Sequence, residues 1–224
     1  MSSRFAALFR SRLCLQRLFL GAFLVLLLSA CGKDEVARLS ALPEDATVLV
    51  LGDSLVAGTG APREAAWPLQ LEKLTGWLVI NAGVPGDTSA DARRRLEGLL
   101  QEYQPDAVIL AIGGNDFLRN RPLEETRSNL EEMIRSSLLH TRHVALVAIP
   151  AKSVGAALIG TLADHELYAE LAREHALSLV PAVVSSVLSQ AELRSDRIHA
   201  NAQGYTRIAR GVEESLSQHG WQSP

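Results

Sequence analysis

The chain has little cysteine and few aromatic residues: it contains two cysteines in 224 residues, and Phe, Trp and Tyr make up 5% of it. Cys14 lies in an N-terminal segment that we predict to be removed, and Cys31 stands at the predicted cleavage site. No thiol pair remains for a disulfide, so the fold depends on its hydrophobic core. The sequence also lacks a cluster of His, Cys and Asp at metal-ligand spacing and a glycine-rich nucleotide loop. We therefore expect no metal and no other cofactor.

The first thirty residues have the composition of a secretory signal. Residues 1–17 carry four arginines and no acidic residue, Leu18–Leu28 is an unbroken apolar run, and small residues follow it. The run is shorter than the roughly 20 residues that a membrane span requires. The sequence Leu28-Ser29-Ala30-Cys31 resembles a bacterial lipobox, which implies cleavage before Cys31 and lipidation of that residue. An uncleaved N-terminal anchor is the alternative.

A lipidated Cys31 predicts a protein held at a membrane, because two or three acyl chains bind a bilayer stably where one is marginal. Gly32 follows Cys31, whereas an inner-membrane retention signal has aspartate at that position. We therefore predict that the membrane is a partner of the chain through Cys31. The predicted location is the bacterial cell envelope, on the outer membrane and facing the periplasm.

The charge of the mature chain argues against two classes of partner. Without residues 1–30, about 194 residues remain, with 18 basic and 25 acidic side chains and a net charge of −7. We expect neither nucleic acid nor anionic lipid headgroups as partners, because binding them requires basic surface. The length suits one domain with one core. We predict a tether over residues 31–45 and a single domain over residues 46–224.

The rest of the chain alternates between two hydrophobic patterns. Five continuous apolar runs are typical of strands buried on both faces: Thr47–Leu51, Trp77–Asn81, Ala107–Ile112, His143–Ile149 and Leu177–Val180. Apolar stripes at helical spacing lie at Leu96–Tyr103, Leu130–Leu138 and Tyr205–Leu216. This alternation predicts an α/β fold, a three-layer α/β/α sandwich with a central parallel five-stranded sheet.

Polar residues follow several of the predicted strands. Ser54, Gly86 and Asn115 each stand at a strand-to-helix transition, and the carboxyl ends of parallel strands open on one edge of a sheet. Asp196 and His199 follow no strong strand, but they directly precede the C-terminal helix, whose start can lie over the same edge. We therefore expect these five residues to lie close together.

The chemistry of these residues suits nucleophilic catalysis. A serine hydroxyl needs a base, and His199 is the best placed of the six histidines to activate Ser54. Asp196 can fix the imidazole by accepting from its Nδ1. The N–H groups of Ser54 and Gly86 and the Asn115 carboxamide can stabilise an oxyanion. Each segment by itself is also compatible with a plain turn, loop or helix cap. We expect the other histidines to be structural or solvated: His140, His143, His165, His175 and His219.

Together these segments resemble the four sequence blocks of the SGNH hydrolase superfamily, also called GDSL esterases and lipases. The blocks fall at Gly52–Leu55, Asn81–Ser89, Gly113–Asp116 and Asp196–His199. The resemblance covers nearly all of residues 47–218 and implies a flavodoxin-like sheet order. It also implies a catalytic triad formed by Ser54, Asp196 and His199. The oxyanion hole that it implies is formed by Ser54, Gly86 and Asn115.

Ala66-Trp67-Pro68 and Gly86-Asp87-Thr88-Ser89 are similar to one branch of the superfamily, the bacterial periplasmic thioesterases, arylesterases and lysophospholipases. Gly83 is an alternative to Gly86 as the glycine of the second block, but the Gly-Asp-Thr-Ser context favours Gly86. Ala200 stands where the superfamily usually has proline after the histidine, which predicts a looser histidine loop without loss of a functional group. The lipobox is a second departure, because that branch is often soluble in the periplasm.

The leading hypothesis is a serine esterase that hydrolyses acyl esters or thioesters, such as lysophospholipids and aryl or alkyl esters, through an acyl-enzyme. A polysaccharide or peptidoglycan O-acetylesterase is an alternative with the same catalytic residues. A catalytically retired, lipid-anchored binding protein is the third hypothesis, and the complete set of triad and oxyanion residues argues against it. Residues 151–163, which follow the fourth strand, are expected to form either an acyl groove or a plain connecting loop. The oligomeric state stays open.

Overall fold

The computed structural model describes residues 39–151 and 161–222, in which strands and helices alternate. The strands are β1 (Thr47–Gly52), β2 (Leu78–Gly83), β3 (Ala107–Ala111), β4 (His143–Val147) and β5 (Ser178–Val180). The α-helices are α1 (Ser54–Ala57), α2 (Trp67–Thr75), α3 (Ser89–Tyr103), α4 (Gly114–Leu118), α5 (Leu123–His140), α6 (Glu166–Glu174), α7 (Val183–Ser189) and α8 (Ala202–Gln218). Short 3-10 helices lie at Arg63–Ala65 and Ala191–Leu193.

The five strands form one parallel sheet in the order β2-β1-β3-β4-β5. This is the flavodoxin-like order that the resemblance implies, and it confirms the predicted five-stranded parallel sheet. Gly52, the last residue of β1, lies opposite Gly83 of β2 and Ala111 of β3. The loops that follow these three strands therefore begin side by side at one edge of the sheet.

The two faces of the sheet pack against different helices. Val48 and Val50 of β1 lie in a core with α2, α7 and α8, whereas Leu49 and Leu51 lie in a second core with α3, α5 and α6. All four side chains are fully buried. Successive residues of a strand point to opposite faces, so a strand covered on both sides is apolar throughout. The predicted three-layer sandwich is confirmed.

The sequence pattern places the strands to within two residues but does not indicate all the helices. Trp77, predicted to begin β2, instead precedes that strand and packs against Trp221, with ring centroids 6.3 Å apart. Helices α2, α6 and α7 have no separate signal in the sequence analysis. They contain only seven to nine residues each, so their apolar stripes are too short to stand out from their surroundings.

The described chain joins the domain at the amino-terminal edge of the sheet. Leu39 and Leu42 pack against the core of α2, α7 and α8, and the Leu42 N–H donates to the Trp221 carbonyl at 2.9 Å. The Ser40 carbonyl lies 2.8 Å from Nε2 of His143, the first residue of β4. From residue 39 onward, the predicted tether therefore lies against the domain, at the end of the sheet opposite the carboxyl ends of the strands.

Several predicted features lie outside the described residues: the signal over residues 1–30, Cys31, the tether before residue 39, and residues 152–160. At the ends of segment 151–163, expected to be either an acyl groove or a plain loop, the Ala151 N–H donates to the Ala163 carbonyl at 2.9 Å. Within the described ranges, no helix has the length and apolar character needed to cross a bilayer.

Candidate active site

A tight turn at the end of β1 places Ser54 at the first position of helix α1. Gly52 ends the strand, and a Cβ there would lie only 2.4 Å from the Ala111 carbonyl oxygen, so a side chain does not fit. Asp53 caps the helix by accepting the Leu55 N–H at 3.0 Å. Ser54 therefore stands, half-buried, at the carboxyl edge of the sheet.

Three side chains form a continuous series of contacts at this edge. Nε2 of His199 lies 3.0 Å from Oγ of Ser54, and its Nδ1 lies 2.7 Å from Oδ2 of Asp196. The His199 side chain is 14% exposed and that of Asp196 is 52% exposed, so the imidazole is enclosed between the serine and a carboxyl group that faces solvent. The structure thus brings together Ser54 and His199, which are 145 positions apart in the sequence.

Asp196 is also held by backbone hydrogen bonds. Its Oδ1 accepts the N–H groups of Ile198 and His199, both at 2.8 Å. Burial acts to raise the pKa of Asp196, but the hydrogen bonds from the His199 ring and from the two backbone amides outweigh it, and the pKa lies below its ordinary value. Asp196 is therefore ionised at neutral pH, and it can fix the proton on Nδ1 of His199 so that Nε2 is left as the base.

The loop that carries Asp196 and His199 is closed by backbone hydrogen bonds. The Ser195 N–H donates to the His199 carbonyl at 3.0 Å, and the Asn201 N–H donates to the Leu193 carbonyl at 2.9 Å. These bonds join the two sides of the loop at its base, and they hold the imidazole in place relative to the start of α8.

Ala200 and Gly60 allow close packing around this loop. Ala200 stands where the superfamily usually has proline, yet it is fully buried and pairs with Arg194 in a β-bridge. Gly60 has a φ of +95°, and a Cβ on it would lie 2.0 Å from Oγ of Ser195 and 2.8 Å from the Ala200 carbonyl. The loop is therefore held by backbone pairing and by packing on Gly60.

Two backbone amides of the predicted oxyanion hole, those of Ser54 and Gly86, have no hydrogen-bond acceptor among the residues described. Gly83, the alternative glycine of the second block, donates its N–H to Oδ1 of Asn81 at 3.0 Å. A Cβ on Gly83 would lie 2.2 Å from the backbone nitrogen of Ala57, so its place is against helix α1. Gly83 thus has a packing role, and Gly86 is the glycine whose amide is available to a ligand.

The Asn115 carboxamide already has acceptors for both of its hydrogens. Its Nδ2 donates to the Asp87 carbonyl at 2.9 Å and lies 3.4 Å from Oδ2 of Asp53. The first bond has an ordinary length, whereas the second is longer than most N–H···O bonds. Asn115 therefore connects the start of helix α4, which follows β3, to the loop after β2. The N–H that faces Asp53 makes the weaker hydrogen bond, so it is the one that can more easily donate to a substrate oxygen instead.

Two arginines that the sequence analysis does not assign to the site bind its loops. Arg95 donates from Nε to Oδ2 of Asp87 at 2.8 Å and from Nη2 to the Gly52 carbonyl at 2.9 Å. Arg119 donates from Nη2 to the Gly86 carbonyl at 2.9 Å. One feature of the sequence could have indicated a role for Arg95: it borders the buried apolar stripe of α3. A cationic side chain next to buried apolar residues requires polar partners.

Asp53, next to the serine, is a buried carboxyl group that is 3% exposed. Desolvation raises the pKa of Asp53 to about 6, although the hydrogen bond from the Leu55 N–H and the charge of His199 act to lower it. The nearby carboxyl groups of Asp87 and Asp116 raise it further. Asp53 therefore changes charge close to neutral pH, directly beside the Asn115 carboxamide.

Known proteins are similar to this chain in sequence and in fold. Residues 50–207 match the GDSL-like lipase/acylhydrolase family. An arylesterase of Vibrio mimicus is 31% identical over 178 residues, covering 77% of this chain and 88% of that protein. Thioesterase 1/protease 1/lysophospholipase L1 of Escherichia coli K12 is 31% identical over 173 residues, covering 76% of this chain and 83% of that protein.

A solved esterase structure is also similar to this chain in its fold. The psychrotrophic esterase EstA of Pseudoalteromonas, in a structure inhibited by monoethylphosphonate, has a TM-score of 0.68 and 25% identity, covering 78% of this chain and 98% of its own. The chain belongs to the GDSL-like lipase/acylhydrolase family. It is an enzyme, a hydrolase that acts on small-molecule esters or thioesters.

The raised pKa of Asp53 predicts how stability depends on pH. Because the folded-state pKa of about 6 exceeds the ordinary 3.8, the stability that this group contributes is fully present below about pH 4 and is lost as the pH rises through about 6. A shift of about two units corresponds to roughly 3 kcal/mol. Part of this stability is already lost at pH 4, so between about pH 4 and about pH 7.5 the free energy of unfolding in urea should fall by about 2 kcal/mol more in the wild type than in Asp53→Asn. The same pH dependence in both proteins would contradict this expectation.

Proposed function

We propose that Ser54, His199 and Asp196 hydrolyse acyl esters and thioesters through a covalent acyl-enzyme. The observation that carries the proposal is the unbroken series of contacts from Oγ of Ser54 to Nε2 of His199 at 3.0 Å and from its Nδ1 to Oδ2 of Asp196 at 2.7 Å. A hydroxyl within reach of a base that a third group orients is the arrangement that activates a serine. Membership of a lipase and acylhydrolase family supports the same mechanism.

The first step transfers the acyl group to the enzyme. Oγ of Ser54 attacks the carbonyl carbon while Nε2 of His199 takes the hydroxyl proton, and the carbonyl electrons move onto oxygen. The oxyanion accepts the N–H groups of Ser54 and Gly86 and one N–H of Asn115. Collapse of the intermediate breaks the C–O or C–S bond, and His199 gives its proton to the leaving alcohol or thiol. Asp196 stays ionised and keeps the imidazole oriented.

The second step releases the acid. His199, now neutral, takes a proton from a water molecule whose oxygen attacks the acyl carbon, and the oxyanion forms in the same hole. Collapse of this intermediate breaks the bond to Oγ of Ser54, which takes back a proton from His199. The same residues therefore serve both steps, and the products are a carboxylic acid and an alcohol or thiol.

The surroundings of Ser54 support substrates with an apolar acyl group. Val84 in the loop after β2, Leu118 at the end of α4 and Ile198 beside His199 are each 42% exposed. All three belong to the segments that meet at the carboxyl edge of the sheet. Aliphatic side chains around a hydrolytic site favour fatty acyl or aryl groups. We therefore place lysophospholipids, aryl and alkyl esters and acyl thioesters ahead of acetylated polysaccharide.

We also propose that the enzyme works in the bacterial cell envelope, held by a lipidated Cys31. The support comes from the order of features in residues 1–31: a basic start, an apolar run and the lipobox-like Leu28–Cys31. Gly32 rather than aspartate after the cysteine favours the outer membrane, with the enzyme facing the periplasm.

Substitution of Ser54 should abolish hydrolysis and leave the fold intact. Loss of a triad nucleophile costs about 10⁶-fold in kcat, so Ser54→Ala should lose activity on a p-nitrophenyl ester, a lysophospholipid and an acyl-CoA alike. Asp196→Ala should cost less. A fluorophosphonate probe should label wild-type enzyme on Ser54 alone. Ser186→Ala, at an exposed position on α7, is the control and should keep labelling and turnover. Turnover in folded, pure Ser54→Ala would overturn the mechanism, and a preference for acetylated glycan would replace the substrate class.

Substitution of Asn115 tests the oxyanion hole. If its N–H binds charge that develops only in the transition state, Asn115→Ala should lower kcat by about 10²–10³-fold, a barrier cost of roughly 3–4 kcal/mol, with little change in KM. Labelling of Ser54 by a small fluorophosphonate should slow as well, because that reaction also builds negative charge on oxygen. Steady-state kinetics on one ester, with circular dichroism to establish folding, measure the effect. A folded variant with wild-type kcat would show that Asn115 only links the loops.

Substitution of Cys31 tests the anchor. In a bacterial host, Cys31→Ser should prevent lipidation and cleavage at the lipobox, because the modified atom is the cysteine sulfur. Metabolic labelling with palmitate should mark the wild type and not the variant, and the variant should keep its signal or be cut elsewhere. Cys14→Ser is the matched control and should be labelled like the wild type. Equal labelling of wild type and Cys31→Ser would refute the lipoprotein proposal.

A further inference from the structure

Three consecutive arginines of α3 have different partners. Arg93 pairs with Glu132 of α5, and Arg94 pairs with Asp91 one turn earlier on its own helix. Their side chains are 40% and 65% exposed, whereas that of Arg95 is 25% exposed. Exposed pairs of this kind contribute little to stability. Arg95 alone points to the carboxyl edge of the sheet.

The guanidinium of Arg95 joins the two loops that carry the available amides. Its Nη2 donates at 2.9 Å to the carbonyl of Gly52, two residues before Ser54. Its Nε donates at 2.8 Å to Oδ2 of Asp87, the residue after Gly86. The guanidinium is planar and its donors have a fixed separation, so one rigid group spans the distance between the loops.

Asp87 is the junction of this arrangement. Its side chain binds Arg95, and its carbonyl accepts from Nδ2 of Asn115 at 2.9 Å. The Gly52 carbonyl also accepts the Val84 N–H at 3.1 Å, so the loop after β2 is tied to β1 both directly and through the guanidinium. The Asp87 side chain is 14% exposed. Without Arg95, its carboxylate would be mostly shielded from solvent and would lack its cationic partner.

We propose that Arg95 is a positioning residue for the oxyanion hole. Its guanidinium binds Gly52 and Asp87 at the same time and so sets the separation of the Ser54 and Gly86 amides. The proposal rests on the proposed role of these amides in catalysis. Arg95 acts through them and does not touch the substrate. Donors placed for the oxyanion stabilise the transition state more than the bound substrate, so a misplaced pair of amides slows the reaction without weakening substrate binding.

The test compares the three neighbouring arginines on one good ester substrate. Misplacement by about 1 Å can cost about 10²-fold, so Arg95→Met should lower kcat by about 10–100-fold with KM within about twofold. Arg93→Met and Arg94→Met should keep wild-type kcat. Arg95→Lys retains the charge but lacks the fork, so it should recover only part of the lost rate. In a trifluoromethyl ketone inhibitor, the carbonyl carbon bonds to Oγ of Ser54 and the carbonyl oxygen becomes an oxyanion. Affinity for this inhibitor should fall in parallel with kcat across these variants.

Several outcomes would overturn the proposal. They are a wild-type kcat in folded Arg95→Met, a rise in KM at constant kcat, and full recovery by Arg95→Lys. If Arg95→Met does not fold, Asp87→Ala replaces it, since this change removes the side chain that accepts from Nε of Arg95 and keeps the backbone carbonyl that binds Asn115. A wild-type kcat in folded Asp87→Ala, or a rise in KM at constant kcat, would then overturn the proposal. Ser54→Ala distinguishes this failure from failure of the proposed function. Turnover by Ser54→Ala would refute the catalytic mechanism itself. An inactive Ser54→Ala together with a wild-type kcat in Arg95→Met would refute only the positioning role of Arg95.

Discussion

Close approach of three backbones at the end of β1 is the constraint on which the site depends. Gly52 stands in register with Gly83 and Ala111 of the neighbouring strands. A Cβ on Gly52 would lie within 2.4 Å of the Ala111 carbonyl, and one on Gly83 would lie 2.2 Å from the backbone nitrogen of Ala57. The absence of side chains at these two points lets helix α1 start between β2 and β3. The serine turn and the two loops beside it can therefore share one small volume.

Most of the links that then hold these loops end on backbone carbonyls. Arg95 binds the carbonyl of Gly52, Arg119 that of Gly86, and Asn115 that of Asp87. A bond to a carbonyl fixes the orientation of the peptide unit it belongs to, because that unit is planar. The N–H groups in these planar units belong to Asp53, Asp87 and Thr88, so the bonds restrain the backbone beside the Ser54 and Gly86 amides and not the amides themselves.

The strands and the polar blocks could be predicted because each is a local pattern, such as the apolar run of Ala107–Ala111 or the turn at Ser54. The links between the blocks could not. The partners of Arg95 lie 8 and 43 positions away, and no local pattern distinguishes its partners from those of Arg93. The raised pKa of Asp53 has the same origin, since the burial that causes it comes from elements distant in the sequence.

The place where the chain joins the domain has a consequence for what can reach the enzyme. Leu39 packs at the amino-terminal edge of the sheet, and the six residues of β1 separate that edge from the serine by about 20 Å. Residues 39–46, which lead into β1, therefore lie away from the serine. The mouth of the site is formed instead by the loops that follow β1 and β2, by the start of α4 and by the loop of His199. An ester can reach Ser54 without displacing residues 39–46.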